Sequence, residues 1–290
     1  MSYFLNLVFA GLAVGALYGL LAMGYAIIFK VSRVVNFAQG EIMMLIAYMA
    51  YSVALRTDGS APLVVLAVLV SSVAVGFLIE RFVVRPRLGQ PVFSLVMMTI
   101  ALAILIRSVA ALIWGNYPYR FPGAETVQPF VIAGVYIQPL QMVLLAVYGA
   151  ICVAVWAFLR FNIVGIAMRA TASDATVSML MGVSVTRLYR TAWVVSALIA
   201  GIAGILFANI NHIGPDMAHI GIRAFPATIL GGLDSVIGSA VAGLIIGVVE
   251  SLTGGYVAAT YKDIAGFVVI LFVLMIRPYG LFGQRNIERV

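Results

Sequence analysis

The sequence predicts an all-α fold, a polytopic transmembrane helical bundle of about eight or nine spans with broken helices. Three observations carry this. Of 290 residues, 64% are hydrophobic and 9% are charged, and mean hydropathy is +1.14, whereas a soluble domain carries about 45–50% apolar and about 25% charged residues. The apolar residues form long unbroken runs and do not alternate as barrel strands do. Two runs contain polar or glycine interruptions, which membranes tolerate where the backbone is buried in protein or lines a cavity.

The first run covers residues 3–29, and no Lys or Arg precedes Lys30. It lacks the basic flank of a cleaved leader and reads as a retained span. The second, 34–55, opens on the polar stretch Arg33 to Glu41, and Arg56-Thr57-Asp58-Gly59 turns the chain after it. A third run, 62–84, stops at Arg85-Pro86-Arg87-Leu88-Gly89, and a fourth covers 92–114. The longest link runs from Gly115 to Gln138 and holds Pro118, Pro122 and Pro129. Runs 139–159 and 189–210 follow. Segment 222–252 is broken at Gly231-Gly232-Leu233-Asp234 into a piece of 222–230 and a helix of 235–252. At 1.5 Å per residue the short piece cannot span alone. The last run is 260–276. No length is left for a sizeable soluble domain, so 1–290 reads as a single transmembrane domain. Interruptions in corresponding places of two halves hint at an internal repeat, a pointer to transport sites.

Charge orients the bundle. Lys30 and Arg33 form one basic cluster, Arg81, Arg85 and Arg87 a second, Arg160, Arg169, Arg187 and Arg190 a third, and Arg277, Arg285 and Arg289 a fourth. Placing all four in the cytoplasm puts the N-terminus outside and the C-terminus inside. Tyr117, Tyr119 and Phe121 then suit the outer interfacial belt, and Arg56, Arg120 and Lys262 remain outside. The net charge of +7 is therefore a topology signal and not a sign of nucleic-acid binding. Cys152 is the sole cysteine, which excludes a disulfide within the chain. Gly11, Gly15 and Gly19, Gly201 and Gly204, and Gly243 and Gly247 recur at helical spacing and suit close helix packing within the chain.

One polar island, Arg160 to Arg190, separates two spans. Within it, Ala172 to Met181 suits a short helix, capped by Ser173 or Asp174 and ended by Gly182. Val177, Leu180 and Met181 share a face at i, i+3 and i+4. Such a face fits a cytoplasmic groove, or the bilayer surface.

Ionisable groups at membrane depth are costly and are functional candidates. Here they are Glu41, Glu80, Arg107, Asp234 and Glu250. Glu80 reads as a neighbour of Arg81 at the cytoplasmic edge, and Arg107 as one half of an ion pair. Asn36, Gln39 and Glu41 at the first interruption and Asp234 at the second either satisfy freed backbone groups or line a pathway. His212 and His219 flank Asp216, but Gly214 and Pro215 break any shared helical face, so a solvated loop is expected and no metal site. No nucleophile, base and orienter occur together, so no catalytic residue is assigned.

The stretch GIAMRATASDATVSMLMGVSVTRLYR (165–190) resembles the coupling loop of the permeases of branched-chain amino-acid ABC importers, the Liv type. VVNFAQGEIMMLIAYMAY (34–51), FPATILGGLDSVIGSAVAGLIIGVVE (225–250) and RPYGLFG (277–283) agree with the same family in the same order. The family often has His at the place of Gln39. The resemblance implies an ATP-driven importer in the bacterial inner membrane, with lipid around it. Its parts would be two permeases, identical or homologous, two cytoplasmic ATPases and a periplasmic substrate-binding protein. Arg169, Asp174, Val177, Leu180, Met181 and Gly182 would then couple this chain to the ATPases. The chain has no G-x-x-x-x-G-K-[ST] loop, so ATP is expected on the partners and no cofactor on the chain itself. An ion-gradient-driven transporter and a passive channel are the other classes compatible with the residues.

Overall fold

The computed structural model describes residues 2–87, 89–122, 129–132 and 135–283. Leu88, Arg285 and Arg289 of the expected turn and C-terminal cluster lie outside the described residues. Eleven α-helices are described: α1 (Ser2–Ser32), α2 (Gln39–Arg56), α3 (Ala61–Leu78), α4 (Val92–Trp114), α5 (Pro139–Phe161), α6 (Ile163–Ser173), α7 (Ala175–Leu180), α8 (Val185–Ile210), α9 (His219–Gly231), α10 (Val236–Tyr256) and α11 (Lys262–Ile276). Helix α3 continues through a π-helical segment, Ile79–Val84, into a short 3₁₀ turn, Arg85–Arg87. The all-α expectation needs one amendment. The link before α5 holds an antiparallel hairpin of β1 (Phe130–Ile132) and β2 (Val135–Ile137). A two-stranded hairpin of this size is fixed by its neighbours; here the Tyr136 amide donates to the Asn6 side chain.

Among the described residues six helical stretches are long and apolar enough to cross a membrane: α1, α3 with its continuation, α4, α5, α8 and α10. Helix α1 is the axis of the bundle, with 83% of its most apolar window buried, against 17% for α5 at the periphery. Exposed Leu, Val, Ile and Phe cover the outer faces of α3, α4, α5 and α11, as a lipid-facing surface requires.

The contacts fix the direction of each helix. The N-terminal end of α1 meets the β-hairpin and the last turn of α10. Its other end, at Lys30 and Arg33, meets Asp234 and the carbonyl of Ala172. Helix α8 has Arg190 beside Glu80 near its start, and just beyond its other end Ile213 pairs with Tyr119. Lys30, Arg33, Arg169 and Arg190 therefore gather at one end of the bundle, and Lys262 lies at the other.

Helices α1–α4 and α8–α11 pack as two copies of one motif pointing in opposite directions. Helix α1 packs on α10 as α8 packs on α3, α2 on α8 as α9 on α1, α2 on α3 as α9 on α10, and α2 on α4 as α9 on α11. In each copy a long helix is followed by a short lead-in that turns back into the bundle, non-helical before α2 and a 3₁₀ turn, Pro215–Ala218, before α9, then by a helix that begins at mid-depth. Gln39 opens α2 beside Gly24, eight residues before the end of α1. Gly221 at the start of α9 lies against Gly40 and accepts a hydrogen bond from Tyr25 at 3.1 Å. The repeat that the sequence hints at is thus an inverted one, and its two half-helices meet N-terminus to N-terminus at Gly40 and Gly221.

Glycine makes the seams possible. A methyl group on Gly11 would meet Val248 Cα at 2.7 Å, and one on Gly15 would meet Leu244 Cα at 2.8 Å. A methyl group on Gly204 of α8 would meet the Met43 carbonyl of α2 at 2.7 Å, and one on Gly201 would meet Ser72 of α3, in the seam equivalent to α1 on α10. The glycines expected to serve close packing lie in these seams, where dispersion between backbones replaces the hydrophobic drive that lipid cannot supply.

Candidate functional site

The polar island forms two helices where the sequence suggests one. Asn162 caps α6 through the Val164 amide at 2.9 Å. Asp174, with extended φ and ψ, ends α6 and caps α7. Its Oδ1 accepts from the Thr176 and Val177 amides at 2.8 and 2.9 Å. The expected helix from Ala172 is broken there because an N-cap carboxylate competes with continued helix for the same amides. Gly182, at φ +83°, ends α7. The Val183 amide bonds to the Ser178 carbonyl and the Gly182 amide to that of Met179, each at 3.0 Å; this closure needs a left-handed residue at the glycine position.

Helix α7 turns its apolar side chains away from the bundle. Val177, Leu180 and Met181 are 54%, 82% and 80% exposed. Arg169 lies on α6 and not on this face; its guanidinium reaches the Arg160 carbonyl at 3.4 Å. The island is tied to the bundle where Arg33 donates to the Ala172 carbonyl at 2.7 Å.

Asn36, Gln39 and Glu41 are all buried. The Asn36 side chain accepts from the Ala38 amide and donates to Gln39 Oε1, each at 3.1 Å. Gln39 donates to the Ser196 carbonyl at 3.3 Å, and Ser196 Oγ lies 3.0 Å from both Gln39 Oε1 and the Gly24 carbonyl. Glu41 is the acid that pairs with Arg107, at 2.7 Å. Asp234 lies at the basic end of the bundle and not at mid-depth: its carbonyl accepts from Lys30 at 2.9 Å, and with Lys30 and Arg169 it borders a cavity of about 170 Å³.

Glu80 differs from its sequence reading. Glu80 is fully buried in the π-helical segment, with its carboxylate 3.5 Å from Arg190 Nε, whereas Arg81 is exposed. The extra residue of a π turn rotates its neighbours, and Glu80 turns inward onto α8. His212, Asp216 and His219 are exposed, as the solvated-loop expectation has it, with His219 opening α9. They border a cavity of about 660 Å³ at the end opposite the island. Among the described residues no three His, Cys, Asp or Glu side chains are placed to hold a metal.

Arg223, which the sequence reading left unassigned, projects from α9 into that cavity. It lies within hydrogen-bonding reach of Tyr18, whose hydroxyl donates to buried Glu250 at 2.9 Å. The available signal was an arginine inside the short apolar piece of a broken helix, where a charge is costly unless used.

The family described as branched-chain amino acid transport system / permease component matches residues 7–276. The high-affinity branched-chain amino acid transport system permease protein LivH of Salmonella typhimurium is 30% identical over 99% of this chain and 98% of its own. BraD of Pseudomonas aeruginosa, named for the same transport system, is 29% identical over the same shares. A probable LivH of Methanocaldococcus jannaschii is 28% identical over 91% of this chain and 88% of its own. Among solved structures, PsaBC from Streptococcus pneumoniae in complex with Fab shares the fold at a TM-score of 0.53 and 12% identity, over 96% of this chain and 93% of that one.

Proposed function

Because this chain belongs to the branched-chain amino-acid transport permease family, we propose that it is the membrane permease subunit of an ATP-driven importer of branched-chain amino acids. The observation that carries the mechanism is the α7 knob: a capped six-residue helix with Leu180 and Met181 exposed at the basic end of the bundle. A soluble surface rarely leaves so large an apolar side chain pair bare without a groove to receive it. The receiving groove belongs to a cytoplasmic ATPase, one under each of two permeases, and a binding protein delivers substrate at the opposite end. ATP is bound and hydrolysed by those partners, and this chain needs no cofactor.

In this reading the whole chain is one membrane domain of nine crossings. Seven are α1, α3, α4, α5, α8, α10 and α11, and two are made by α2 and α9 with their short lead-ins. The odd number puts the N-terminus outside and the C-terminus in the cytoplasm, with the basic end of the bundle inward. ATP binding favours one separation of the ATPases, and the knobs transmit that preference to the bundle. Asn36 and Gln39 hold the first half-helix in place, and Glu41 and Arg107 fix it to α4.

The test is uptake of labelled leucine by proteoliposomes holding the complete complex. Uptake that requires both hydrolysable ATP and binding protein is expected. Uptake driven by a proton or sodium gradient alone would place the chain among secondary transporters, and flux without either energy source would make it a channel.

A further inference from the structure

The apolar outer surface of α4 is interrupted by one charge, Arg107. Its side chain is 38% exposed. It lies seven residues before Trp114, about 10 Å inside the end of the helix. A guanidinium at that depth is not left to hydrocarbon, since charges within a span face the bundle interior or water. A long side chain near a helix end can bend its head outward to the interface. Arg107 cannot, because its Nη2 is held at 2.7 Å by Glu41, in the first turn of α2, where that helix begins at mid-depth. Among the described residues Arg107 bonds Glu41 alone, so the donors on its open side are met from outside the chain.

The surroundings agree. Ile100, Ile104 and Ala111 share the face of Arg107, at i−7, i−3 and i+4; the two isoleucines are exposed and Ala111 is half-buried. Two turns back along α4, Thr99 accepts from the Phe37 amide at 3.3 Å, and the Phe37 ring lies 5.5 Å from that of Phe225 on α9. The face thus adjoins the junction of the two half-helices, and transport sites lie where inverted repeats meet.

Resting on the importer reading, we infer that this face of α4 lines the water-filled route of the amino acid, with the second permease on its far side. Lipid is excluded as the occupant by a half-exposed charge that is tied at depth. The pair suits a zwitterion in transit. Glu41 neutralises Arg107, so the wall stays polar without a bare cation to trap the carboxylate; a route must bind its cargo weakly enough to release it. Ile100 and Ile104 give the branched side chain an apolar surface to pass.

The experiment uses the complete complex in proteoliposomes, with Cys152→Ala removing the chain's only native thiol. Ile100→Cys, Ile104→Cys and Ala111→Cys are compared with Val70→Cys on α3 and Val153→Cys on α5, both exposed on outer faces. A methanethiosulfonate that cannot cross membranes is present on both sides, and its addition is scored by the mass of this chain. The thiolate is the reacting species and apolar surroundings suppress it, so the three α4 thiols should react about tenfold faster than the controls, or more. Trapping with ATP and vanadate should change those three rates by about threefold or more, as a two-state route requires, and leave the controls within about twofold. A benzophenone attached to Ile104→Cys should crosslink to a second permease chain. Rates equal to the controls, rates that ignore the nucleotide, or crosslinks to lipid alone would each overturn the assignment, and leave the importer reading standing where leucine uptake by the Cys152→Ala complex still needs ATP. Uptake without ATP would instead overturn the importer reading, whatever the thiols do.

Discussion

Replacing Asp174 by Ala removes the cap of α7 and tests how far coupling depends on it. The carboxylate accepts two amide bonds, at 2.8 and 2.9 Å, and α7 is six residues long. A helix this short has no stability of its own, since nucleation alone outweighs its few internal bonds. It persists through its cap and its left-handed Gly182 closure. Loss of the cap costs about 1 kcal/mol, within a range of about 0.5–2, which lowers the folded fraction relative to unfolded by about fivefold. Amide hydrogen exchange at Thr176 to Met181 should accelerate by that factor, with no change in α8. Asp174→Asn, which keeps an acceptor, should leave exchange near the native rate. In the assembled complex, Asp174→Ala should weaken ATPase retention and reduce uptake per ATP hydrolysed. Native exchange rates together with native coupling in Asp174→Ala would refute the reasoning, because the helix would then be held by something other than its cap.

Leu180→Asp with Met181→Asp should abolish recovery of the ATPase with this chain during purification in mild detergent, while membrane insertion and bundle thermal stability stay native. Glu41→Gln leaves Arg107 without its acid, a change that costs about 3–5 kcal/mol when the pair is buried and less at the half-exposed guanidinium seen here; it should lower the melting temperature, and Arg107→Gln added to it should restore part of the loss. Gly15→Val forces α1 from α10, since its Cβ alone would lie 2.8 Å from the Gly243 carbonyl and the Leu244 Cα, and should destabilise by about 1–3 kcal/mol or more, measured as a fall in thermal stability in detergent. Glu80→Gln keeps the shape of the π-helical segment and removes the attraction to Arg190; thermal stability should hold near native while the ATP cost of uptake rises, and an unchanged ratio would remove Arg190 from the coupling route.

Of the eight or nine spans expected, six are long apolar helices among the described residues; these were legible because lipid demands a long apolar run for each, and the predicted 235–252 and the observed Val236–Tyr256 differ by a few residues. The two interruptions were legible too, since Asn36, Gln39, Gly231 and Gly232 stand out against apolar neighbours. Their meeting was not. Nothing in a linear pattern places Gly40 against Gly221, 181 positions apart, and the inverted order of packing emerges only from helix direction. Glu80 was misread for a local reason: neighbouring Arg81 suggested a partner, but a π turn sends the two side chains to opposite sides. Arg223 was passed over because it lies inside the short piece of the broken helix, where hydrophobicity dominates the pattern. The large cavity was invisible for the same reason as the repeat, since its walls come from both ends of the chain.

The inverted repeat also explains where a force from the island must travel. The glycine seams leave no slack between α1 and α10 or between α8 and α2, because backbone already touches backbone across them. Close-packed interiors rearrange between discrete states and do not stretch. The island joins both long helices of the repeat: Arg33, just past α1, donates to the Ala172 carbonyl, and the chain passes from Gly182 into α8 at Val185, whose Arg190 faces Glu80 in the continuation of α3. A displacement of α7 therefore enters α1 and α8 together, at the same end of the bundle but at opposite points in the two motifs. The half-helices that follow them, α2 and α9, meet at Gly40 and Gly221, so the two inputs converge there. That junction lies between the cavity of about 660 Å³ and the basic end. A change in the angle between α1 and α8 must either open it or press it closed, and Gly40 and Gly221 are the places where added side-chain bulk should lock it.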